Sequence, residues 1–398
     1  MTKTTWVRDA TSGQAYYLET DEPIGGGGEA KVYQVQGHPG LLAKVYKDHI
    51  DDMRGKLSFM LANPPENPTA SRNHQAYAWP SVLICAGDHD KVVGFLMPRV
   101  NGMREVFEFY NPAQRRQTCA LFDYRYLMQT ARNIAGIMSE LHSKGYVIGD
   151  VNQRNFFVSD SAMVTVIDTD SFQFRDKQSG QLFLCRVRSV GFIAPEAYKK
   201  GLKYVERTVE EDLFGLAVLT FHLLMEGVHP FACRYKGPDE PPPLDKNVMD
   251  GNFPHKRADS RFEPPPTAPP FEILSPELRA LFMRSFIDGH GTPTARPTAK
   301  EWQRALSKAS KELVTCVRVP SHFFPAHLGQ ACPWCARVER GFADSFPSLV
   351  SPPSPAPARK PVPRKRWTSV LVPVRQKRWI FFLLGVFLLW LLGFLFSY

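Results

Sequence analysis

The sequence predicts an α+β chain of two lobes, a small β-rich one followed by a larger helical one, with a short cysteine-bearing module and an apolar segment behind them. Three observations carry this reading. Between Ala15 and about Val100, short β-type runs are broken by Gly and Pro. From Tyr126 onward, apolar residues recur at helical spacing. Past Leu313 the composition changes to clustered cysteines, then a Pro-rich stretch, then an uncharged apolar run.

The predicted strands include Ala15–Leu18, Lys31–Val35, Leu41–Tyr46 and Val92–Met97, interrupted by one helix from about Ile50 to Leu61. In the second lobe Leu127, Ala131, Ile134, Met138 and Leu141 share one helical face. The helix Asp212–Met225 is apolar nearly throughout and is expected to be buried. Residues Gly237–Pro270 are Pro-rich and read as an extended excursion, with further helix from Ser275 to about Leu313. The predicted units are 1–100 and 101–313 for the lobes, 314–342 for the cysteine module, 343–378 for a Pro-rich then basic linker, and 379–396 for a membrane span.

Charge and hydropathy patterning place the chain at a membrane. Of a net charge of +10, Arg359, Lys360, Arg364, Lys365, Arg366, Arg375, Lys377 and Arg378 account for eight charges with no acid among them. The excess is therefore local and adjoins Trp379–Phe396, an uncharged segment whose eighteen residues would span about 27 Å as a helix. Phe, Leu and Trp occupy every face of it, the pattern of a lipid-facing helix. The basic residues before it predict a cytoplasmic N-terminal bulk and a single-pass C-terminal anchor in the cytoplasmic membrane, since no apolar signal core opens the chain. Contact with anionic lipid headgroups accounts for the basic stretch more simply than a nucleic-acid partner. Seven cysteines in a cytoplasmic chain do not predict a disulfide framework.

The chemistry concentrates in Gly145–Val158 and Val166–Asp170. Asp150 and Asn155 are separated by four residues, and Asp168 follows an apolar run. Phosphoryl transfer needs a carboxylate near the acceptor hydroxyl, a task for Asp150, and oxygen ligands for magnesium, a task for Asn155 and Asp168. Upstream, Ile24-Gly25-Gly26-Gly27-Gly28-Glu29-Ala30-Lys31-Val32 fits a G-x-G-x-x-G-x-V turn with Ala30 at the third glycine. Glycine there lets backbone N–H groups approach phosphate oxygens. The next strand carries Lys44, whose ammonium is placed to reach those phosphates; Lys47 points to the other strand face.

Together these residues resemble a eukaryotic-like protein kinase over roughly Ala15–Leu313, which implies a bilobal protein-kinase-like fold with ATP and Mg²⁺ as ligands. The resemblance implies Met97 as gatekeeper, and a hinge at Pro98–Val100 where Val100 rather than Pro98 supplies an N–H to adenine. Gly25, Gly27, Gly28, Ala30 and Val32 would enclose the nucleotide. Ala194-Pro195-Glu196 matches the A-P-E closing the activation segment, Arg296 its Arg partner, and Asp212 the acid that braces the catalytic loop. Several positions depart from the pattern. Ile148-Gly149 replaces His-Arg; Asn152 replaces the usual Lys, leaving Arg154 to compensate; Asp168-Thr169-Asp170 replaces D-F-G, the second Asp holding metal or capping the turn; and no Glu follows Lys44 on the helix.

Ala43-Lys44-Val45-Tyr46, Ala78-Trp79-Pro80 and Asp168-Thr169-Asp170-Ser171-Phe172 resemble a divergent bacterial kinase-like family, some associated with helix-hairpin-helix regions, others with a PP2C-type phosphatase and a von Willebrand A-domain partner. The expected function is a membrane-anchored Ser/Thr-type kinase acting on a protein substrate, with Ser179 and Ser189 as autophosphorylation candidates. The alternative is a nucleotide-binding pseudokinase adaptor. Finally, Cys316, His322, Cys332 and Cys335 supply a Cys₃His set for a structural Zn²⁺, with His327 as the other candidate for the fourth ligand.

Overall fold

Alternating burial builds the first lobe. In the computed structural model, which describes residues 4–48, 53–87, 90–200, 205–256 and 261–348, the strands are β1 (Thr4–Asp9), β2 (Ala15–Glu19), β3 (Gly25–Gly26), β4 (Ala30–Val35), β5 (Leu41–Tyr46), β6 (Val82–Ala86) and β7 (Val92–Pro98). They order as β2-β1-β6-β7-β5-β4-β3, all antiparallel, and β2 also pairs with β4, so the sheet closes on itself. On β2, Tyr16 and Leu18 are buried while Ala15 and Tyr17 are exposed, the period-two signature of a half-buried strand. The inner face packs Val7, Leu18, Val35, Ala43, Ile84 and Leu96 together. Helix α1 (Met53–Ala62) places Leu57 and Met60 in the main core, together with Phe95 of β7.

The second lobe comprises α2 (Val106–Tyr110), α3 (Pro112–Thr118), α4 (Tyr124–Ser143), α5 (Pro195–Lys200), α6 (Val209–Leu224), α7 (Leu244–Asp250), α8 (Pro276–Met283), the short α9 (Gly289–Gly291) and α10 (Ala299–Lys311). The Asp123 side chain caps α4, and the five residues expected on one face are all buried. Thr208 caps α6, which starts three residues before the predicted Asp212 and is buried from Glu211 to Leu224. A capping box between Thr298 and Glu301 opens α10 and sets Trp302 wholly inside. A three-stranded sheet of β8 (Met103–Glu105), β9 (Phe156–Ser159) and β10 (Val164–Val166) follows the first lobe and flanks the chemistry-bearing loop. Two expectations are corrected here. The stretch Gly237–Pro270 is not wholly extended, because α7 forms inside it and ends on Gly251 at φ 69°. The single helical portion from Ser275 breaks at Pro293 before α10 resumes.

The cysteine module is a hairpin, Leu313–Thr315 with Phe323–Pro325, followed by α11 (Pro333–Glu339). It packs directly on the helical lobe: Trp334 lies against Tyr124 and Phe346, and its indole N–H donates to the Phe323 carbonyl. Beneath it Arg115 and Glu226 form an ion pair at 2.9 Å with side chains 1% and 3% exposed. Glu226 also accepts the Ser345 hydroxyl, and the Arg115 guanidinium lies 4.5 Å from the Phe346 ring. Among the described residues no helix is long and apolar enough to cross a membrane; the expected span at 379–396 and its basic approach lie outside them.

Breaking the buried pair should cost far more than removing it. Glu226→Gln strands the Arg115 charge and is expected to lower the unfolding free energy by about 3–5 kcal/mol. Arg115→Met with Glu226→Leu should cost less, as denaturant titration of both variants would read.

Candidate active site

The loop that carries Asp150 hangs from one acid of the buried helix α6. Asp212, 1% exposed, accepts the backbone N–H of Ile148 at 2.7 Å and of Gly149 at 2.8 Å, and the His142 Nε2 at 3.1 Å. Gly149 sits at φ 74°, and a Cβ there would meet the Cys185 side chain at 2.6 Å. Glycine is therefore required where the kinase resemblance has arginine, and Cys185 fills the space.

Beyond this anchor, the Asp150 carboxylate accepts from the Asn152 amide at 3.0 Å and the Ser189 hydroxyl at 3.2 Å. Burial pushes its pKa above the ordinary carboxylate value, although these two donors oppose the shift. Asn152 thus braces Asp150, while Arg154 points to solvent. Asn155 donates to the Asp150 carbonyl at 3.0 Å, which leaves its amide oxygen for another partner. The two serines of the activation segment part company: Ser189 touches Asp150, whereas Ser179 binds Asp176 in an exposed turn.

Across the cleft, Lys44 on β5 reaches Asp168 at 2.5 Å and Asp170 at 2.6 Å. Lys47 instead donates to the Gly27 carbonyl at 2.6 Å, on the outside of the glycine turn. Burial alone would lower the Lys44 ammonium, but Asp170 and Asp168 outweigh it and raise its pKa. Asp168 adopts a left-handed backbone at φ 59°. Asp170 neither caps the turn nor faces outward: it is buried and also accepts the Tyr46 hydroxyl at 2.7 Å. No acid of the described α1 reaches Lys44, and α1 instead buries Lys56. Sequence reading missed Tyr46 and Lys56 as site residues; the signal for Tyr46 was its i+2 position on the Lys44 face of a strand.

The other residues expected to meet a nucleotide come from strands of the same sheet and from the stretch after β7. Strand register places Phe95 opposite Lys44 and Met97 opposite Leu42, so Met97 shares the Lys44 face of the sheet. The Val100 N–H has no acceptor among the described residues. In the glycine turn the strict requirement falls on Gly26, at φ 152° with the Ala30 carbonyl 2.7 Å from any added Cβ. Gly25, Gly27 and Gly28 face open space. Ala30 is buried and Val32 half-buried on β4.

The segment between the two halves is pinned at its far end. Arg296 grips Glu196 through two hydrogen bonds of 2.6 and 2.8 Å and also donates to the Glu210 carbonyl. His229 donates from Nε2 to the Gly191 carbonyl at 2.8 Å and accepts the Phe231 N–H on Nδ1, so its ring is neutral.

Away from this cleft, Cys316, His322, Cys332 and Cys335 bring four buried ligand atoms within 4.8 Å of one another. Cys316 and Cys335 sulfurs are 3.7 Å apart, close to the edge of a tetrahedron with metal–sulfur bonds of about 2.3 Å and far beyond a disulfide of about 2.0 Å. His322 turns Nδ1 toward the sulfurs of Cys332 and Cys335, at 3.5 and 3.4 Å. Its Nε2 meets Asp344 at 2.9 Å, the carboxylate partner that fixes a ligating imidazole. His327 faces away to the Glu272 carbonyl, which leaves His322 as the histidine of the cluster.

The fold is protein-kinase-like. The chain is 36% identical over 323 residues to "Protein kinase YegI" of Escherichia coli (strain K12), and equally to its counterpart in Escherichia coli O157:H7, covering 80% of this chain. It spans about half the length of these curated relatives, 48% of each. Among solved structures, ROP2 from Toxoplasma gondii, described as a virulence factor with a protein-kinase fold and no enzymatic activity, superposes with a TM-score of 0.51 at 13% identity, over 78% of this chain and 86% of that one. No protein-family model matches the chain.

Acid should unpin the activation segment. Burial lowers His229 to about 4 and His222, stacked beside Tyr110, to about 3. The unfolded chain protonates both near pH 6.5, so between there and the folded values it binds more protons and stability falls with pH. The slope should approach about 1.4 kcal/mol per pH unit per histidine. Denaturation midpoints between pH 6.5 and 5.5 should show it; burial also lowers His255 to about 4, so His229→Gln should remove roughly a third of the slope.

Proposed function

We propose that the chain is a Ser/Thr-type protein kinase that transfers the ATP γ-phosphate to a protein hydroxyl. The observation that carries this reading is the convergence of Asp150, Asn155, Asp168 and Lys44 on one cleft, with Asp150 oriented by two side-chain donors. In this role Asp150 aligns the acceptor hydroxyl and takes its proton, helped by a basicity that burial has raised. Asn152 and Ser189 keep the carboxylate turned to the acceptor. The Asn155 amide oxygen and the Asp168 carboxylate are the groups that would hold Mg²⁺, which when bound neutralises phosphate charge. Lys44 places the phosphates under the turn of Gly25–Gly28, and Val100 offers its N–H to the adenine edge.

The pseudokinase reading draws on one specific contact: Lys44 is already paired with Asp168, the residue assigned to metal. The Cys₃His cluster would hold a structural Zn²⁺ whose four protein ligands leave no open position for chemistry. A C-terminal membrane anchor at 379–396 is part of the proposal, and detergent-dependent extraction of the chain from membranes tests it. The phosphatase and von Willebrand A-domain partners rest on the family resemblance alone.

Transfer from γ-labelled ATP with Mg²⁺ should be measurable in the full chain purified with zinc. Asp150→Asn should lower it about 10²–10⁴-fold while ATP still raises the melting temperature. Unchanged transfer in that variant would sink the assignment of Asp150, and no transfer by the wild type with ATP still bound would favour the pseudokinase. Chelation should release one zinc per chain and lower the melting temperature, with Cys335→Ser mimicking the loss.

A further inference from the structure

Kinases orient the phosphate-binding lysine through a carboxylate on the helix that follows it. Here α1 presents the opposite charge. Lys56 is buried on its inner face with Leu57 and Met60, and its ammonium lies within electrostatic reach of both Lys44 and Asp170. Burial lowers Lys56 to about 8, and the Asp170 charge opposes that shift. Asp170 pairs with Lys44, and its charge also acts on Lys56. One of its oxygens takes Lys44 at 2.6 Å and the other takes Tyr46 at 2.7 Å. Burial would raise the Asp170 carboxyl, but Lys44, Tyr46 and Lys56 outweigh it and keep it ionised.

We propose that Asp170 is the positioning residue for Lys44, a charge relocated from helix α1 to the turn 168–170, with Lys56 left at the helix position that the carboxylate has vacated. The proposal deepens the kinase reading and rests on it. Two consequences follow from the placement. The partner of Lys44 now lies two residues from Asp168, so the metal-side acid and the lysine's counter-ion move as one unit. Movement of α1 cannot break the Lys44 pair, because α1 does not supply it. When Asp168 is drawn to metal, Asp170 still holds Lys44, and the Tyr46 hydroxyl keeps Asp170 from rotating away.

Moving the carboxylate back is the test. In the full zinc-loaded chain, Asp170→Gly should weaken binding of a fluorescent ATP analogue at least ten-fold and lower kcat at saturating ATP. Adding Lys56→Glu to that variant should recover at least half of the lost affinity on a logarithmic scale, because the helix then offers the acid. A role in packing alone predicts no recovery, since Lys56→Glu restores none of the turn's hydrogen bonds. Full affinity in Asp170→Gly, or no recovery in the folded double variant, overturns the proposal. Should Asp170→Gly fail to fold, Asp170→Asn and Tyr46→Phe take its place. The first should lose affinity as Asp170→Gly does and the second about three-fold, while Asp170→Glu retains more than Asp170→Asn; equal affinities across the three also overturn it. Nucleotide binding reads the outcome even if the wild type transfers no phosphate, so failure of the kinase reading and failure of this one are separable.

Discussion

One buried carboxylate in the first turn of α6, Asp212, joins the helical lobe to the loop that bears the chemistry. Asp212 follows Glu210 and Glu211 on α6, precedes the apolar run Leu213–Leu219, and is 1% exposed. Burying an ion there is costly unless its acceptors are filled, and the backbone N–H groups of Ile148 and Gly149 together with His142 Nε2 fill them. The loop is consequently anchored to α6 by its main chain, while the Asn152 and Asn155 side chains brace it from within. That anchorage uses no side chain of residues 148 and 149, so it tolerates Ile148-Gly149 in place of the usual pair.

The departures from the kinase pattern compensate one another in space. Gly149 removes an arginine and admits Cys185 in its place. Asn152 replaces a lysine and becomes a brace for Asp150. The helix after β5 lacks its acid and carries Lys56, while the third residue of the 168–170 turn has gained one. Each change alone reads as damage to the site. Together they leave Lys44 paired with Asp168 and Asp170, with Lys56 within electrostatic reach of Asp170.

Beyond the lobes, the cysteine module is continuous with the core and not an appendage. Trp334 and Phe346 pack on Tyr124, and the Arg115–Glu226 pair is closed over by Ser345. A short hairpin and a two-turn helix bury too little surface to be stable alone, which is why a metal-ligand cluster at their junction makes physical sense. Asp344 links the two devices, since it orients His322 and lies directly before the Ser345-Phe346 contact.

How much of this was legible beforehand depends on distance along the chain. Short-range grammar was enough to place Lys44 on a strand, Asp150 and Asn155 on one loop, the apolar face of α4 and the C-x-x-C pair, because each is set by a few neighbouring residues and a fixed period. The partner of each charge was not legible. Lys44 and Asp170 lie 126 positions apart, and Asp150 and Ser189 lie 39 apart. The choice of His322 over His327 likewise depended on how the hairpin folds against α11, and α7 formed inside a Pro-rich stretch because Gly251 could end it. The sequence by itself determined which residues have the chemistry for phosphoryl transfer and metal binding, since reactivity belongs to the side chain. Only the tertiary structure decided which acid answers which base, because in a buried cleft a charge must take whichever partner packing brings within hydrogen-bond reach.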